Sequence, residues 1–92
     1  MSIGELRGFF EASQGDCSKG GWHFMDMVGF EREVERSVER VMDGRRLSEG
    51  DRVELGKLLS EVIEWYGGVN RGATAFLGDM REYLGRCGGV KN

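Results

Sequence analysis

Met27-Val28-Gly29-Phe30-Glu31-Arg32-Glu33-Val34-Glu35-Arg36-Ser37-Val38-Glu39-Arg40-Val41-Met42 is the stretch that decides the fold class. Met27, Phe30, Val34, Val38 and Val41 recur at steps of three and four, which puts them on one stripe of an α-helix and on no single face of a strand. A tetrapeptide stutter fills the other positions. With a step of four, Glu31, Glu35 and Glu39 form one column and Arg32, Arg36 and Arg40 form a second. Like charges one turn apart repel by about 0.2–0.5 kcal/mol per pair, and cross-column pairs such as Arg32 with Glu35 and Arg36 with Glu39 recover a similar amount. Charge therefore leaves this helix near neutral, and packing of the apolar stripe has to hold it. The predicted span is His23 to Met42.

Working outward, the same spacing recurs three more times. Ser2 and Glu5 spell an S-x-x-E capping box ahead of Ile3, Leu6, Phe9 and Phe10, which predicts a short helix from Ser2 to about Ser13. Gln14-Gly15-Asp16-Cys17-Ser18-Lys19-Gly20-Gly21 has turn-forming residues and no period, so it reads as a glycine-rich first loop ending at Trp22. On the far side, Asp43-Gly44-Arg45-Arg46-Leu47 reads as a tight connection with Gly44 at a left-handed C-cap. Ser48 and Asp51 make a second box. Leu55, Leu58, Leu59, Val62, Ile63 and Tyr66 then give a helix from Glu49 to Tyr66, stopped by Gly67-Gly68. Asn70 suits the N-cap of a last helix whose inner face is Ala73, Phe76, Leu77, Met80, Leu84 and Cys87. Glu82 and Arg86 add a favourable pair on its outside, and residues 88–92 read as a frayed tail. No alternation of period two competes. The expectation is an all-α chain, a compact four-helix antiparallel bundle with a Gly-rich first loop, forming a single helical domain over residues 1–92.

Composition narrows function by exclusion. The chain has 92 residues, 16 of them glycine and none proline. Gly4, Gly8, Gly29, Gly56, Gly72 and Gly78 fall inside helical spacing, where each costs about 0.5–1 kcal/mol relative to alanine. Either they let helices approach closely, or contact with another chain offsets the loss. A formal charge of −3 argues against a generic nucleic-acid-binding domain. No apolar run approaches the length that spans a bilayer, and the first residues lack a basic stretch followed by an apolar one. The expected location is the cytoplasm, with no membrane partner. Cys17 and Cys87 are expected to be reduced thiols.

Catalytic and metal chemistry find no pattern. His23 is the sole histidine. A Cys17–His23 nucleophile pair lacks any partner set that would orient it, and one C-x5-H spacing with Asp26 and Cys87 elsewhere is not a zinc motif. The glycines of residues 15–21 lack the Gly-Lys-Ser/Thr ending of a phosphate loop. We therefore expect no enzyme activity and no cofactor. What remains is recognition. Trp22 and Trp65 are candidate anchors, since tryptophan is enriched at binding hot spots. Arg32, Glu35, Arg36, Glu39 and Arg40, continued by Arg45 and Arg46, are a candidate charged contact surface. The expected function is a small protein-interaction module (inhibitor, adaptor or assembly subunit) that binds a larger protein or nucleoprotein complex. The alternative is a small helical subunit that touches an RNA or DNA backbone through the arginine stripe. Glycine seams at Gly4 and Gly8, or Gly72 and Gly78, leave self-association open.

Overall fold

The computed structural model describes residues 2–43 and 47–87. The expectations placed on Gly44, Arg45 and Arg46 and on the tail 88–92 lie outside the described residues. Four helices follow one another: α1 (Ile3–Ser18), α2 (Phe24–Asp43), α3 (Glu49–Val69) and α4 (Thr74–Arg86). No strand occurs among the described residues, so the chain is all-α. It divides into two compact units, Met1–Arg46 with α1 and α2, and Leu47–Asn92 with α3 and α4.

In the first unit, the capping box forms as the sequence predicts. The Glu5 backbone N–H donates to Ser2 Oγ at 3.1 Å, and the Ser2 backbone N–H donates to Glu5 Oε1 at 2.8 Å. Two backbone donors that the helix leaves open are thereby satisfied. Helix α1 does not stop near Ser13, however. Gln14 through Ser18 are helical, so the expected long loop shrinks to residues 19–23. The reason is visible in the spacing once small polar residues are allowed on the inner face. Ile3, Leu6, Phe10 and Ser13 are buried and Cys17 is half-buried, which continues the three-four series to the last turn. The Ser18 hydroxyl donates to the Gln14 carbonyl at 2.8 Å within that turn. Gly20 ends the helix with φ of 75°, the left-handed region where a Cβ is costly. From α2, Phe30, Val34, Val38 and Val41 complete the core as the opening stretch predicts, while Met27 is half-buried.

The second unit carries the larger apolar interior. Leu55, Leu58, Leu59 and Tyr66 are wholly inaccessible, and Phe76, Leu77, Met80 and Leu84 face them. Full burial of such a side chain stabilises by about 1.5–3 kcal/mol. Tyr66 meets Phe76 edge-on at 5.2 Å, while the Gly56 end of α3 lies against Leu84 and Cys87. Residue numbers thus rise along α3 as they fall along the facing α4. Ser48 caps α3 by accepting from the Asp51 backbone N–H at 3.1 Å. Gly67-Gly68 does not stop that helix, which runs on to Val69. Tyr66 anchors the last turn, and its carbonyl accepts from the Asn70 backbone N–H at 2.8 Å. Asn70 is consequently the C-cap of α3 and not the N-cap of α4. Its side-chain oxygen accepts from the Gly72 N–H at 3.2 Å, which sets the turn.

At none of the six glycines inside helical spacing would a Cβ clash, so close packing does not account for them. A Cβ on buried Gly56 would stand 3.7 Å from Cys87 Cβ and 3.8 Å from Leu84 Cδ1, so α4 lies close over that point. Gly72 is in a turn. At Gly8, Gly29 and Gly78 a Cβ would meet no atom within 4 Å, and at Gly4 only the Ser2 hydroxyl at 3.8 Å.

Candidate functional site

The expected contact residues separate between the two units. Arg32, Arg36 and Arg40 are exposed along α2, Glu39 is exposed and Glu35 is half-buried. The ion pair recorded for Arg36 is with Glu33 at 3.8 Å, where the sequence reading expected Glu39. Arg36 is exposed and Glu33 half-buried at the surface, so this pair contributes about 0–1 kcal/mol. Trp65 is half-buried in the second unit, 6.0 Å from the ring of neighbouring Tyr66. Trp22 is half-buried in the first unit, with its ring centroid 5.5 Å from that of Phe30. Arg45 and Arg46 lie outside the described residues.

Around Trp22 the first unit builds a recognisable site. Phe30 is the hub: Phe9 stacks on it at 5.9 Å and 15° between planes, and Phe10 approaches at 6.5 Å. Beside this aromatic cluster lies an open hollow of about 400 Å³. Phe9 and Ser13, one turn apart on α1, make one wall; Trp22, Asp26, Gly29 and Glu33 make the other. Asp26, Gly29 and Glu33 are separated by three and four residues, so they share one flank of α2, with Trp22 in the segment just before it. Met25 also lines the hollow.

Local sequence explains why the flank is held so firmly at its start. His23 stands where an N-cap stands, its carbonyl accepting from the Met27 N–H at 3.2 Å. Asp26 reaches back and accepts from the His23 backbone N–H at 2.8 Å, which is half of a capping box. His23 and Asp26 therefore have a structural role at the helix start. Among the described residues no three of His, Cys, Asp and Glu gather as a metal site, and both cysteines are free thiols. Burial raises the Cys87 thiol above its ordinary pKa, with Arg52 opposing weakly. Such a thiol is a poor nucleophile.

Sequence reasoning missed the two most exposed large apolar side chains of this unit. Phe24 is 75% accessible and Met25 is 72% accessible, at the first two positions of α2. They fall off the Phe30–Val34–Val38 stripe, and that mismatch was the available signal. Glu33 was not among the expected contact residues, and Gly29 was singled out only as a glycine inside helical spacing.

A second hollow, of about 560 Å³, lies in the other unit between Ile63 and Leu84, with Glu64 and Arg81 at its rim. No exposed aromatic or methionine accompanies it. Among the described residues, no helix is long and apolar enough to cross a membrane. Compared with protein-family models, curated proteins and solved structures, the chain matches none.

Proposed function

We propose that this chain is a small helical interaction module that acts by binding a larger protein, with the flank of α1 and α2 around Trp22 as the contact surface. The observation that supports this is the exposed pair Phe24 and Met25, close in sequence to a half-buried tryptophan. Contiguous exposed apolar side chains mark interaction surfaces more often than they mark monomer surfaces. Covering both would contribute up to about 1.5–3 kcal/mol each. Trp22 supplies the kind of anchor that dominates binding energy, and the exposed arginines along α2 supply register and rate. The mechanism is occlusion or bridging.

The alternative, contact with an RNA or DNA backbone, draws on the exposure of Arg32, Arg36 and Arg40 along one helix. Each phosphate contact adds about 0.9 to the slope of log affinity against log salt for duplex DNA. One experiment separates the two. Wild-type chain and a Phe24→Ser, Met25→Ser variant are used side by side for capture from lysate, with and without nuclease, and each captured protein is then titrated in purified form. A purified protein that binds the wild type, survives nuclease and loses affinity for the variant supports the reading. A captured set that the variant leaves unchanged, or that nuclease abolishes, overturns it.

A further inference from the structure

We draw no further inference here: the strongest candidate, the open hollow of the second unit between Ile63 of α3 and Leu84 of α4, carries one charge of each sign at its rim, Glu64 and Arg81, and nothing in the structure shows what covers it.

Discussion

Replacing Gly29 or Gly78 with alanine is expected to stabilise the protein. Both lie inside helices and are exposed, and at both an added Cβ would have no neighbour within 4 Å. No packing penalty therefore offsets the gain in helix propensity, about 0.8–1 kcal/mol per site. Part of that gain comes from the unfolded chain, which has fewer conformations to lose once the glycine is gone. Urea unfolding followed by circular dichroism measures it. With a slope of about 1–3 kcal/mol per molar urea, the midpoint of the transition that melts the substituted helix should rise by about 0.3–1 M. Gly20→Ala is the opposing control. Its φ of 75° puts a Cβ against the backbone, so the same change should lower the midpoint by a free energy of about 1–2 kcal/mol. A lower midpoint for Gly78→Ala would refute the reasoning, because it would mean an unseen neighbour occupies that space.

Three further outcomes follow from the caps and the thiols. Ser48→Ala removes the acceptor for the Asp51 N–H and should cost about 1 kcal/mol in urea unfolding, with Ser48→Asp restoring most of it. The Glu5 carboxyl is held below its ordinary pKa by the Ser2 backbone N–H first and the Ser2 hydroxyl second. Its contribution is therefore present above the ordinary glutamate range and lost as pH falls through the depressed value, so α1 should lose helicity on acidification by an increment that Glu5→Gln abolishes. Under native conditions a thiol reagent should modify half-buried Cys17 well before buried Cys87, whose raised pKa keeps it protonated. Equal rates for the two would contradict the burial of Cys87.

The core was legible because apolar side chains have no alternative to burial at helical spacing. Leu55, Leu58, Leu59, Val62 and Tyr66 announce their shared face by position alone, and all are buried. Helix ends were less legible, and for a consistent reason. Gly15, Asp16, Gly67 and Gly68 are weak helix formers, and their propensities point to turns. Tertiary contact overrides them where a buried residue next door fixes the backbone. Ser13 does so for the end of α1, and Tyr66, held by Phe76 and by the Asn70 side-chain amide at 3.2 Å, does so for the end of α3. Local preference decides a boundary only where no such anchor lies within a turn of it.

The proposed contact flank was illegible for the opposite reason. Its parts are recognisable by what they lack: Phe24 and Met25 lack a place on the core stripe, and Gly29 lacks a side chain. A periodicity search scores what recurs, and a binding surface is the part of a helix that breaks the recurrence. At Gly56 a Cβ would make ordinary van der Waals contact with Leu84 and Cys87, so even the pairing of α3 with α4 does not require glycine there. At Gly29 a Cβ would meet no neighbour at all, and the residue lines a hollow together with Phe9, Trp22 and Phe30. A chain selected for stability alone would gain by placing alanine at Gly29, and equally at Gly8 and Gly78, where a Cβ would likewise meet no atom within 4 Å.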